Sequence, residues 1–410
     1  MPPTLTDEET RLARLVRGHD RWRGREVFNL LPSENALSPT ARRYLSSDLA
    51  GRYTLPLSTV FEGEPIDNSY AGTRFADAIE DLADASAARL FHGRFATVRP
   101  LSGHIAALSA LAPLLPRGSK ILAIPPEAGG YDGYAPGYLP ALLGYTVRPL
   151  PTHGPEHRLT EEAAIEEIRR ERPNAVVLGQ SFFLFPYPLR AVAEEAHARD
   201  ALVFYDASHV LGLIAGGEFQ DPIREGADVL YGSTHKSFPG PQGGLLVTDR
   251  DDLFGQLDPA LVWRVFDNAH WNRIAGLAQT LLEMERFGPE YARTTVANAQ
   301  ALGRALTSES VPFVAESDGF TRSHQLLFDR AELVRRHGVG PAALARRLEG
   351  VRLLTDLVGR LGTAEITRLG LAPADMERLA SLVVRGGLRG EAVGAEVLGW
   401  RREFPGLRFV

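Results

Sequence analysis

The chain has no cysteine in its 410 residues. That excludes disulfides, thiolate metal sites and thiol catalysis, and it suits a cytoplasmic location. Long apolar runs are also missing: nothing approaches the ~20 residues a membrane-spanning helix needs. The segment Met1–Glu9 is acidic rather than apolar, so no secretory signal is expected. Basic runs are absent, and the formal net charge is −6. Both argue against a nucleic-acid face. Scarcest of the charged residues is lysine, for only Lys120 and Lys236 stand among 45 lysines and arginines. What remains is ordinary for a globular protein, with 44% hydrophobic and 23% charged residues. The length suits a large enzyme subunit of two domains.

Lys236 lies in Ser233-Thr234-His235-Lys236-Ser237-Phe238-Pro239-Gly240-Pro241-Gln242-Gly243-Gly244, directly after an apolar strand pattern. Lysine is the side chain that forms a Schiff base with a carbonyl cofactor. Arginine-favouring codon usage explains the scarcity of lysine but not this company of hydroxyl, imidazole and Gly/Pro turn.

Thr6 and Glu9 make a capping-box pattern ahead of Leu12, Leu15 and Val16, which predicts an N-terminal amphipathic helix. From about residue 95 short apolar strands alternate with helices. Strands are expected at Ala96–Pro100, Lys120–Pro125, Thr146–Leu150, Ala175–Gly179, Ala201–Asp206, Val229–Gly232 and Gly244–Thr248. Helices are expected at Gly103–Leu115, Leu159–Arg172 and Leu189–Arg199, and a long one at Arg273–Leu306. Such alternation means βαβ units and a mostly parallel sheet, with ligands beyond the carboxyl ends of its strands. The expected fold is therefore α/β, with a smaller α+β C-terminal domain. Its divisions are an N-terminal arm over 1–35, a large domain over 36–275 and a small domain over 276–410. The tail from Glu391 reads as a last helix and a surface end.

Three further features carry chemistry. Asp206 ends the strand pattern Ala201–Tyr205 and His209 follows it; a carboxylate there can hold a pyridine nitrogen protonated and make the ring an electron sink. Taken alone, a helix-capping role suits Asp206 better. Ser102-Gly103-His104 opens a helix, where a hydroxyl and free N–H groups bind phosphate. Arg360 in Gly359-Arg360-Leu361-Gly362-Thr363, with Arg368 beyond it, offers a fork for a substrate carboxylate.

In combination and in order, these motifs resemble the serine hydroxymethyltransferase family of fold-type I pyridoxal phosphate enzymes, over nearly the whole chain. Leu30-Leu31-Pro32-Ser33-Glu34-Asn35 is similar to the family's Ser-Glu-Asn motif, and Asp206-Ala207-Ser208-His209-Val210-Leu211-Gly212 to its Asp-x-x-His-x-x-Gly strand end. Thr234-His235-Lys236 is similar to its Schiff-base motif, and Arg360-Leu361-Gly362-Thr363 to its carboxylate-binding segment. The resemblance implies that Lys236 and Thr234 hold pyridoxal 5′-phosphate and that Asp206 pairs with its ring nitrogen. Ser102, Gly103 and His104 would meet its phosphate, and Ser181 its phenolic oxygen. Ser33, His209 and Arg360 would surround the substrate carboxylate. Tyr53 and Tyr70 would act in catalysis and substrate binding across a homodimer interface with shared active sites. His235 would move a proton beside the lysine. No metal is implied.

The departures bear on the reaction. The family's glutamate two residues after the first tyrosine serves folate-dependent one-carbon transfer; here that position is Leu55, which puts tetrahydrofolate in question. Extra residues before Tyr70 carry Glu62 and Glu64, either able to replace it. The histidine that stacks on the cofactor corresponds to Ala128, leaving Tyr131 or Tyr134 for that place. Gly240-Pro241-Gln242, Met284–Tyr291 before Asn298-Ala299, and Ser317–Gln325 are similar to the L-threonine transaldolases of natural-product pathways. The implied reaction is aldol exchange: L-threonine loses acetaldehyde, the glycine carbanion delocalises into the ring, and a second aldehyde adds. Folate-dependent serine or α-methylserine hydroxymethyl transfer, simple threonine aldol cleavage, and a non-catalytic scaffold are the alternatives. The partners are amino-acid and aldehyde substrates, with neither membrane nor nucleic acid.

Overall fold

A computed structural model describes residues 6–410. Seven strands form the central sheet: β1 Phe95–Thr97, β2 Lys120–Ala123, β3 Thr146–Pro149, β4 Ala175–Leu178, β5 Leu202–Asp206, β6 Val229–Ser233 and β7 Gly244–Thr248. Their spatial order is β1-β7-β6-β5-β4-β2-β3. The pairings from β6 through β3 are parallel, and β7 runs antiparallel to both β1 and β6.

Strands β4 and β6 are buried along their whole length, as a parallel sheet covered on both faces requires. Side-chain alternation divides them between two cores. Val176, Leu178, Val203, Tyr205 and Leu230 join one core, which includes alanines of the helix Arg74–Leu90 and the first half of the helix Trp271–Ser308. Ala175, Val177, Phe204, Val229 and Tyr231 face the other, shared with Ala106, Ala107, Ala110 and Leu111 of the helix Gly103–Leu114. The sheet is thus the middle layer of three.

The 38-residue helix Trp271–Ser308 is about 57 Å long at 1.5 Å per residue. Its first half packs on the sheet, while Leu302 and Leu306 enter a third core with Leu326, Leu348, Leu361 and Trp400. Phe28 and Leu30 of the N-terminal arm lie in this third core too. Two short strand pairs hold it: Phe28–Asn29 parallel to Leu353–Leu354, and Gln325–Leu327 antiparallel to Arg360–Gly362.

Thr6 and Glu9 do form the reciprocal capping box of the helix Asp7–Arg21. Its apolar residues Leu12, Leu15 and Val16 are exposed, at 63%, 62% and 52%. The segment before Tyr70 is a β-hairpin, Pro56–Phe61 with Glu64–Asn68, turning at Glu62 and Gly63 with φ of 50° and 85°, the left-handed backbone such turns require. The tail is less of a surface end than expected. Its last helix, Gly394–Arg401, buries Trp400, and Arg401 donates to the carbonyls of Val27 (3.0 Å) and Gly24 (2.6 Å). None of the described helices is long and apolar enough to cross a membrane.

Candidate active site

Strands β1, β4, β5 and β6 all point the same way, so their carboxyl ends share one edge, and a cavity opens there. Gly103 and His104 line it from the start of the helix after β1, and Gln180 and Ser181 from the loop after β4. Asp206, Ser208 and His209 come from the end of β5, and Ser233 and Lys236 from the end of β6. A Cβ on Gly103 would collide with Ser233 Oγ, and one on Gly179 with Cβ of Asp206. Glycine at both places lets the helix start and the strand ends close around the cavity.

Asp206 is buried and held at both oxygens. Oδ1 accepts from Ser208 N–H at 2.9 Å, and Oδ2 from the Tyr134 hydroxyl at 2.6 Å. The Tyr134 and Tyr231 hydroxyls are 2.6 Å apart. Since the Tyr134 proton goes to Asp206, Tyr231 must donate to Tyr134. Burial, with Asp206 beside them, pushes both phenols well above their ordinary pKa, so both remain neutral donors. Ser208 also ties β5 to β6, its Oγ accepting from Ser233 N–H at 3.0 Å.

Lys236 reaches the cavity from the loop after β6. Burial lowers its amine from 10.5 to about 8; Asp206 opposes that shift and Arg360 adds to it. A neutral, nucleophilic amine is therefore accessible at mild pH. Burial, then Lys236, lowers His235 to about 4, and its buried Nδ1 has no hydrogen-bond partner. His209 is pushed well below the usual imidazole range by burial, with Lys236 and Arg360 contributing.

Arg360 begins the strand Arg360–Gly362, whose Leu361 lies in the third core. Arg360 Nε donates to Asp356 Oδ2 at 2.6 Å and its Nη1 to the Ser181 carbonyl at 2.7 Å. Its guanidinium carbon lies 5.1 Å from the centre of the Phe182 ring. Ser33 sits between two anchors. The Pro32 carbonyl accepts from His324 Nε2 at 2.9 Å, and Asn35 Nδ2 donates to the Lys236 carbonyl at 3.0 Å. Ser102 caps the Gly103–Leu114 helix, its Oγ accepting from Ile105 N–H.

Other expected residues stand elsewhere. Thr234 is fully buried and gives its hydroxyl proton to the Pro241 carbonyl at 2.6 Å, so it braces the Gly/Pro turn instead of lining the cavity. Tyr131 lines the cavity and its hydroxyl meets His104 Nδ1 at 2.9 Å. Tyr134 does not line it, because its hydroxyl is committed to Asp206. Tyr53 and Tyr70 touch edge to face, centroids 4.9 Å apart, outside this chain's cavity. Tyr53 donates to Asp267 Oδ2 at 2.6 Å, which pushes its phenol up to about 12. Arg368 lies in the core, 3.7 Å from Glu283 and hydrogen-bonded to the Phe409 carbonyl; it cannot serve as a second carboxylate fork. Reading from sequence passed over Gln180, Ser208, Ser233, Tyr231 and Gln325. Ser208 lay within the quoted strand-end motif, and Gln325 at the end of the quoted Ser317–Gln325 segment.

The donor set fits pyridoxal phosphate. Glycine leaves the helix N-terminus open to an anion, a desolvated amine faces the same cavity, and a fixed carboxylate stands at its wall. Comparisons with known proteins agree. The serine hydroxymethyltransferase family profile matches residues 5–339. The serine hydroxymethyltransferase of Pyrobaculum neutrophilum is 38% identical over 96% of this chain and 93% of its own. That of Methanopyrus kandleri is 38% identical over 97% and 94%. In fold, the chain is similar to the crystal structure of L-threonine transaldolase from Pseudomonas fluorescens in internal aldimine state, with a TM-score of 0.86 and 24% identity over 99% of this chain and 96% of that one.

Proposed function

This chain belongs to the serine hydroxymethyltransferase family, a fold-type I pyridoxal phosphate-dependent transferase, and from that premise we propose that it exchanges aldehydes on a β-hydroxy-α-amino acid, L-threonine first, without folate. The observation that carries this reading is Leu55. The residue two places after Tyr53 is aliphatic and buried, with its N–H bonded to Asn68 Oδ1. The nearby carboxylate of Asp77 already accepts from Thr54, Asn68 and Thr73. The family's glutamate position therefore carries no carboxylate, and Asp77 beside it is already held in hydrogen bonds.

Bound through Lys236, pyridoxal phosphate supplies a ring that draws electrons from the amino acid's Cα. Gly103 and His104 would hold its phosphate at the helix N-terminus, and Asp206, fixed by Tyr134 and Ser208, would keep its ring nitrogen protonated. Arg360 and Ser33 take the substrate carboxylate. A base would take the β-hydroxyl proton as the Cα–Cβ bond breaks and the aldehyde leaves; His235, kept neutral by burial beside Lys236, is one candidate, and Tyr70, Glu62 and Glu64 are the others. Tyr53 and Tyr70, on a face outside their own chain's cavity, serve the site of a second copy. The uncovered Leu12, Leu15 and Val16 supply an apolar face for that copy.

The names of the 38%-identical relatives favour a second reading, folate-dependent serine hydroxymethyl transfer, with Glu62 or Glu64 of the hairpin in the missing glutamate's place. The test gives purified holoenzyme L-threonine and L-serine, with and without tetrahydrofolate, and assays acetaldehyde and formaldehyde transfer. Acetaldehyde from threonine without folate, rising when a second aldehyde is added, is expected. Serine cleavage that requires tetrahydrofolate, with no threonine turnover, would establish the second reading instead.

A further inference from the structure

Gln325 is buried at the start of the small-domain strand that pairs with Arg360–Gly362. Its side chain makes two contacts, and together they fix its orientation. The backbone N–H of Phe183 donates to Gln325 Oε1 at 3.2 Å. A backbone N–H can only donate, so the amide oxygen must be the atom facing Phe183. The amide nitrogen then faces Nδ1 of His209 at 2.9 Å. An amide nitrogen also can only donate, so Nδ1 must accept, and the ring proton of His209 must sit on Nε2.

We propose that Gln325 is a positioning residue: it fixes His209 as the neutral Nε2–H tautomer and so leaves one N–H donor for the cavity. The surroundings act in the same direction. Lys236 and His235 face His209 from the loop after β6, and Arg360 and His324 from the small domain, and all four oppose a second proton on the ring. The His324 ring stacks 6.2 Å away at 17° and is committed through Nε2 to the Pro32 carbonyl. The strand under Gln325 is itself fixed. Its N–H donates to Ser323 Oγ at 3.0 Å, Ser323 N–H to Thr321 Oγ1 at 2.9 Å, and Thr321 Oγ1 to the Leu184 carbonyl at 3.2 Å. Two neighbouring strands of the small domain thus reach two loops of the sheet, Arg360 the one after β4 and Gln325 those after both β4 and β5. His209 in the cavity wall and Arg360 on the Ser181 carbonyl beside it are thus tied to the same pair of strands.

The inference rests on His209 standing at the site proposed above, and its test does not depend on which amino acid reacts. Holoenzyme labelled with ¹⁵N-histidine, without amino acid, is measured by long-range ¹H–¹⁵N correlation, with His209→Asn to assign the signal. Wild-type His209 should show an unprotonated Nδ1 and a protonated Nε2. Gln325→Glu keeps the shape but replaces the donor by an acceptor, so the proton should appear on Nδ1. Glycine affinity should then fall about tenfold, the size of one lost hydrogen bond, at unchanged cofactor occupancy. A wild-type ring protonated on Nδ1, or a Gln325→Glu spectrum identical to wild type, overturns the proposal. So does unchanged glycine affinity in a variant whose tautomer has inverted. If the variant does not fold, the wild-type spectrum still decides the tautomer.

Discussion

The two lysines stand at opposite ends of one sheet and have become different chemical objects. Lys120 begins β2, with its side chain 35% exposed; its Nζ donates to the Glu171 carbonyl and lies 3.3 Å from Glu171 Oε2. Lys236 follows β6 at the carboxyl edge, where burial outweighs the pull of Asp206 and brings its amine down to about 8. Water and a carboxylate make the first a surface counter-charge. Desolvation makes the second a nucleophile. Lysine identity alone decides neither role; the end of the sheet does, because only there do loops converge over a parallel sheet.

The sharpest break of that comparison exchanges the two roles' loss. Lys236→Ala should abolish the visible absorbance of the bound cofactor and lower turnover on the order of 10³-fold or more, while Lys120→Ala leaves both in place. Arg360→Ala comes next: amino-acid affinity should fall by roughly 2–5 kcal/mol, the range for breaking a desolvated charge pair, with cofactor retention little changed. Equal loss of both would assign Arg360 to the fold through Ser181 instead. Tyr134→Phe should lower stability by about 1–3 kcal/mol, because it takes the donor from buried Asp206 Oδ2 and leaves the buried Tyr231 hydroxyl without its acceptor. In denaturant titrations the Tyr134→Phe, Tyr231→Phe double variant should be less unstable than the sum of the two.

The remaining effects are smaller. Only the neutral form of Lys236 captures a carbonyl, so apoenzyme should take up pyridoxal phosphate about tenfold faster per pH unit below about 8 and level off above it. A profile still rising at pH 10 would mean the amine is not desolvated. Smallest is Lys120→Ala itself, whose partly exposed pair with Glu171 should contribute less than ~1 kcal/mol.

The edge of the sheet was readable because period and punctuation mark it: an apolar run followed by Asp206, by Thr234-His235-Lys236 or by Ser102-Gly103-His104 is a local pattern. Tyr134 and Tyr231 were not assigned to Asp206, since their meeting depends on the packing of a loop against a strand 97 residues away. The hydrogen bond of Thr234 was hidden for a related reason, since it forms only when the Gly/Pro turn folds Pro241 back over the hydroxyl. Gln325 lies in a segment quoted for its resemblance, but its role appears only once the small domain packs on the loops after β4 and β5. The hairpin before Tyr70 read as an altered loop, because its turn rests on Glu62, a residue type without the usual left-handed preference, beside Gly63.

With two lysines in the chain, one measurement separates them. Holoenzyme treated with borohydride fixes the cofactor to its lysine, and peptide mapping by mass spectrometry then locates the phosphopyridoxyl group. The label should fall on the peptide that contains Lys236 and be absent from the one that contains Lys120. Label on Lys120, or on neither, would contradict the assignment of the cofactor to the carboxyl edge of the sheet.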